Sequence, residues 1–82
     1  MDGHSITFAD PTTQQLVQDW ADDKEFVAME QIAMHLEERF RVAAIHVVSA
    51  TNQGDFLMLR ITTDRWHEPR EFGMLSNGSL TW

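Results

Sequence analysis

The chain has 82 residues, no cysteine, no tyrosine and a formal net charge of −7. That length predicts one domain (1–82) with a small core and a thin margin of stability, and the missing thiols exclude a disulfide scaffold and thiolate chemistry. The negative balance argues against direct nucleic-acid binding through an ordinary basic patch. The N-terminal run MDGHSITF lacks a basic segment followed by an apolar one, and no stretch approaches the roughly 20 apolar residues of a membrane span. A cytoplasmic protein with no membrane partner is therefore expected. Charge is also unevenly placed. From Met1 to Glu38 nine carboxylates stand against the single Lys24, a net of −8, whereas Arg39 to Trp82 carries five arginines against four carboxylates, a net of +1.

In chain order, Ile6 and Phe8 alternate with Ser5 and Thr7, the pattern of a short strand. Asp10 before Pro11 reads as a helix cap followed by the proline favoured at the first helical position. Thr13, Leu16, Val17, Trp20 and Ala21 then share one side of an amphipathic helix ending near Asp22, with Gln14, Gln15, Gln18 and Asp19 opposite. A second helix is predicted over Asp22–Phe40, capped by Asp22 or Asp23, with Glu25 near its positive end and Arg39 near its negative end. Phe26, Met29, Ala33, Leu36 and Phe40 recur at steps of three and four and predict its core stripe, with Ile32 at the edge. Its outer side gathers Glu30, Gln31, His35, Glu37 and Glu38 around Val27 and Met34, which are seven apart and stack on one line of a helix.

From Val42 the pattern changes. Val42–Ala50 and Phe56–Thr63 are rich in strand-forming residues and flank a turn at Asn52-Gln53-Gly54. Asp64–Arg70 is broken by Pro69 and reads as a loop. Glu71–Leu75 predicts a third strand, and Asn77-Gly78 between Ser76 and Ser79 predicts a tight hairpin to a last short strand ending at Trp82. A two-residue turn pairs Leu75 with Leu80 and sets Gly73 across from Trp82, a ring over bare backbone. The fold class predicted is α+β, two N-terminal helices packed on one face of an antiparallel three- to four-stranded meander. Phe56 and Met58 beside Leu57, Leu59 and Ile61, and Val42, Ala44, His46 and Val48 beside Ala43, Ile45 and Val47, break the usual alternation. That doubling predicts a second cover for the sheet, by another copy of the chain or by a partner.

No constellation points to an enzyme. The four serines sit in no nucleophile motif, and there is no G-x-G-x-x-G or phosphate-binding loop, so no catalytic residue and no cofactor is predicted. His35 with Glu38, and His67 with Glu68, are pairs without the spacing of a metal site, so no metal is predicted either. An apolar pair ringed by carboxylates has the makings of a partner surface, the apolar centre supplying affinity and the acidic rim selecting a basic partner. The residues assigned to it are Asp19, Asp22, Asp23, Glu25, Val27, Glu30, Met34, Glu37 and Glu38. A solvated helix face is the plainer account of the same residues.

Arg65, Trp66 and Arg70, on a proline-constrained loop, are a second candidate, being residue types that make interface hot spots. The plainer account has Trp66 closing the open end of the core while the two arginines pair with carboxylates of the acidic half. The function expected is a small, acidic, non-enzymatic binding protein that blocks a basic, nucleic-acid-contacting surface of another protein by phosphate mimicry. Inhibitors of host defence nucleases carried by phages and other mobile elements work in this way, an analogy of size and charge. The alternatives are an immunity or antitoxin protein against a basic toxin, and a homodimer whose doubled sheet encloses a small ligand.

Overall fold

A computed structural model describes residues 5–42 and 44–81. The order is β1 (Ser5–Phe8), α1 (Pro11–Asp23), α2 (Ala28–Phe40), β2 (Ala44–Asn52), β3 (Phe56–Thr63), β4 (Arg70–Leu75) and β5 (Leu80–Thr81). The strands form one sheet in sequence order, with β2 to β5 an antiparallel meander. The class is α+β, as the sequence predicts. The first strand enlarges the sheet to five and pairs with β2 in parallel, which makes α1 and α2 together the crossover between the two.

α1 begins as its residues dictate: Asp10 Oδ1 accepts from the Thr13 amide at 2.7 Å, and Pro11 opens the first turn. Thr13, Val17, Trp20 and Ala21 are buried beneath it. Its end differs from the prediction. Phe26 N–H donates to the Ala21 carbonyl at 3.1 Å and Glu25 N–H to the Asp22 carbonyl at 3.1 Å, the paired bonds of a Schellman motif. Glu25 occupies the left-handed position, with φ 65°, where glycine is the usual residue. The Phe26 ring packs edge-on against Trp20 at 6.2 Å, and the Lys24 ammonium lies 4.4 Å from the centre of the Trp20 ring.

This corner delays α2 to Ala28, so neither Asp22 nor Asp23 caps it. Val27 takes the cap position without a side-chain bond, and Glu30 is the acid of the first turn. The buried stripe is accordingly Ala28, Ile32 and Leu36, rotated from the predicted one: Ile32 is at its centre and Met29 is 37% exposed. Arg41, at φ 56°, ends the helix in a second left-handed conformation.

Ile45, Val47, Leu57, Leu59, Ile61, Phe72, Met74 and Leu80 form the sheet's side of the core. The doubled apolar pattern in β2 has a local cause, a bulge between Val47 and Ser49. Val47 lies opposite Ile61 and Ala50 opposite Leu59, so the inward phase shifts by one residue at Val48. The opposite face carries Phe56 and Met58, half-buried, and Leu75.

The last hairpin is shifted by one from the predicted register. Leu75 N–H donates to Ser79 O at 2.8 Å and Gly78 N–H to Leu75 O at 2.9 Å, which makes a three-residue turn with Gly78 left-handed at φ 92°. A Cβ on Gly78 would lie 3.0 Å from the Gln31 side chain, so the turn closes against α2. Met74 therefore pairs with Leu80 and Gly73 with Thr81. It is the Phe56 ring that covers Gly73, within 3.2 Å of where a Cβ would be. Trp82, predicted for that role, lies outside the described residues, as does Ala43.

The left-handed Glu25 leads to a stability prediction. An L-residue there costs about 1–2 kcal/mol, and glycine returns about 0.4–1 kcal/mol of that through the freer unfolded chain. Glu25→Gly should raise stability by about 0.5–1 kcal/mol, measured as a higher urea midpoint with unchanged slope, while Glu25→Ala should give no such gain.

Candidate functional site

The corner at residues 24–27 also determines what α2 shows to its surroundings. With Ala28, Ile32 and Leu36 facing the sheet, the flank bearing Met29 and Ala33 is left beside the start of β1 instead of being buried. Together with Ile6 and Met34 these side chains line a groove of about 610 Å³. Glu30, Glu37 and Glu38 line the same groove, so apolar surface and three carboxylates meet in one place. Met34 is 43% exposed. Among the described residues neither Glu30 nor Glu38 makes an ion pair, so a cation brought to the groove finds carboxylates that the chain's own arginines have not answered.

The other residues assigned to this surface are placed differently. Val27 is 53% exposed, but it precedes the helix and does not stack with Met34. With Asp22 it lines a smaller hollow of about 150 Å³, which shares Met29 with the large groove. Asp23 pairs with Lys24 at 3.3 Å, Asp19 accepts from Gln15 Nε2 at 2.8 Å, and Glu25 is exposed at the corner. Glu30, Met34, Glu37 and Glu38 are thus brought together, while Asp19, Asp22, Asp23, Glu25 and Val27 lie outside the groove. Ile6, Met29 and Ala33 are the groove residues that periodicity alone assigned elsewhere. The late helix start, which exposes them, has no marker in the sequence beyond the absence of a good cap at Val27.

The Arg65–Arg70 loop lines a polar hollow of about 390 Å³. Trp66 stacks on Phe72 at 5.7 Å and 20° and meets Phe40 edge-on at 5.2 Å, which closes the end of the core. Arg70 lays its guanidinium 4.6 Å from the Trp66 ring centre and 5.5 Å from that of Phe40. The predicted pairing of Arg65 and Arg70 with the acidic half does not occur among the described residues, because Arg70 is held on the rings of Trp66 and Phe40 and Arg65 is exposed to solvent. On the uncovered sheet face Arg60 and Glu71 lie 3.8 Å apart across β3 and β4. His46 Nδ1 lies 2.8 Å from Thr7 Oγ1, joining β1 to β2 through side chains. No three histidine, aspartate or glutamate side chains converge as a metal site among the described residues, and none of the helices is long and apolar enough to cross a membrane.

In comparison with known proteins, no family model, no curated protein and no solved structure matches this chain.

A structural role for Trp66 has a measurable signature. Trp66→Ala should cost about 2 kcal/mol, below the full-burial range because the ring is half-exposed. Arg70→Ala should cost about 0.5–1 kcal/mol, and less than that in a chain that already carries Trp66→Ala. Equal costs of Arg70→Ala in both backgrounds, by thermal or chemical denaturation, would show that the two side chains are not coupled.

Proposed function

We propose that this chain is a small, acidic, non-enzymatic binding protein that occupies a basic, nucleic-acid-contacting surface of another protein and blocks it, its carboxylates standing in for phosphates. The observation that supports this reading is the groove on the flank of α2, where Ile6, Met29, Ala33 and Met34 adjoin Glu30, Glu37 and Glu38. An apolar hollow excludes water and supplies affinity, and the carboxylates beside it reject acidic surfaces and draw basic ones. The wider field works in the same sense, because the net charge of −8 over residues 1–38 steers a cationic partner towards the helical side of the molecule. Inhibition of a host defence nuclease by a protein of a phage or other mobile element is the setting this chemistry suits best. An immunity or antitoxin protein that neutralises a basic toxin would use the same surface.

A second reading has its own observation. Phe56, Met58 and Leu75 share the sheet face that no helix covers, beside the mutually neutralised Arg60 and Glu71. Two copies meeting there would avoid the like-charge repulsion that opposes contact through the helices, and could enclose a small ligand. The mass in solution separates the two readings, since a tight dimer abolished by Met58→Glu favours the second.

The main proposal is tested on the basic protein captured by this chain from its native cells and then purified. Replacing Glu30, Glu37 and Glu38 together by lysine should weaken binding by at least about a hundredfold at low salt, with the circular dichroism spectrum and melting temperature little changed. Undiminished binding by the folded triple variant would remove phosphate mimicry through this groove.

A further inference from the structure

β1 is the edge of the sheet next to the acidic groove, and it is an open edge. Among the described residues it pairs only with β2. Ala9 N–H donates to the Val47 carbonyl at 3.0 Å, and a parallel ladder uses alternate residues of each strand, so Thr7 also directs its main chain at β2. The N–H and C=O groups of Ile6 and Phe8 therefore point away from the sheet, and among the described residues they meet no main-chain partner. Natural sheets blunt such edges with charges, prolines or bulges, and Ser5–Phe8 contains none of these. The opposite edge is managed differently: β5 is two residues long, and its turn closes against Gln31 of α2. Ile6 belongs to both features, with its main chain on the open edge and its side chain in the groove.

We infer that β1 and the groove form a single strand-docking site, which takes an extended segment of the partner as a sixth strand of the sheet. This rests on the proposed function for the partner's basic character and adds how the partner is held. An extended segment answers both features at once. Its main chain satisfies Ile6 and Phe8, and its inward side chains, spaced by two residues, place an apolar group against Met29, Ala33 and Met34 and basic groups two positions away against Glu30 and Glu38. A helix laid in the groove would leave the edge groups of Ile6 and Phe8 unpaired by the ligand. A second copy of this chain is disfavoured on charge, because pairing β1 with β1 would bring two acidic flanks together and Ser5–Phe8 brings no cation to answer them.

The test uses the full chain, isotope-labelled, and a blocked heptapeptide Thr-Lys-Thr-Val-Thr-Lys-Thr, with two controls of identical charge N-methylated on alternate amides so that each blocks one edge of the peptide strand. On adding the parent peptide, amide exchange at Ile6 and Phe8 should slow, and one control should bind about tenfold or more weaker while the other binds like the parent, since only one edge hydrogen-bonds to β1. Equal binding by all three peptides, with resonance changes confined to α2, would overturn strand docking and leave the acidic surface as the binding site. Absence of binding by any of them at low salt would overturn it too, while the triple-lysine comparison on the captured protein still decides the proposed function separately. Slowing of the Ile6 and Phe8 amides with protein concentration alone, before any peptide is added, would overturn it in favour of self-pairing at the edge.

Discussion

Two main-chain hydrogen bonds at the end of α1, from Phe26 to Ala21 and from Glu25 to Asp22, set the phase of everything that follows on the helical side. They end one helix and turn the chain, and the next helix starts at Ala28 rather than at Asp22. A helix started earlier could have turned its wider apolar face, Met29 and Ala33 included, onto the sheet. Started at Ala28, it buries Ala28, Ile32 and Leu36 in the core and packs Phe40 against its end, while Met29, Ala33 and Met34 become the lining of a groove. The corner is held by the Trp20–Phe26 contact and by Lys24 over the Trp20 ring, interactions strong enough to keep a glutamate in a conformation that glycine would occupy at lower cost.

Charge is separated in the fold as it is in the chain. The helices and their connection carry the carboxylates, whereas the meander has nearly balanced charge and uses its arginines locally, Arg60 on Glu71 and Arg70 on aromatic rings. In the second case a cation that could have paired with a carboxylate is held instead on the faces of Trp66 and Phe40. The consequence is a molecule whose field has a direction, with the negative side coinciding with the groove.

The parallel placement of β1 connects these features to the sheet. A parallel neighbour cannot be joined by a tight turn, so both helices must lie between β1 and β2 in the chain, and β1 is left as an outer strand beside the flank of α2. An edge with hydrogen-bonding groups that no described main-chain group meets, an apolar hollow, and the carboxylates of Glu30 and Glu38, which make no ion pair among the described residues, thus lie next to one another because of one topological choice.

Much of this was legible in the letters. Asp10-Pro11 marked the start of α1, the Thr13/Val17/Trp20/Ala21 spacing marked its buried side, and the β-branched runs and Asn-Gly marked the meander, because each is a local preference expressed over a few residues. The acidic composition of residues 1–38 and the exposure of Met34 belong to the same class. What only the tertiary structure decided were matters of phase and neighbourhood. The rotation of α2 by its late start, the bulge at Val48, the one-residue shift that sets Thr81 opposite Gly73, and the parallel strand that brings Ile6 beside Met29 all depend on contacts between residues far apart in the chain. Periodicity says that a stripe exists, but the element packed against it decides which of its edges is buried. Here the sheet selected Ala28, Ile32 and Leu36 and left Met29, Ala33 and Met34 beside the carboxylates.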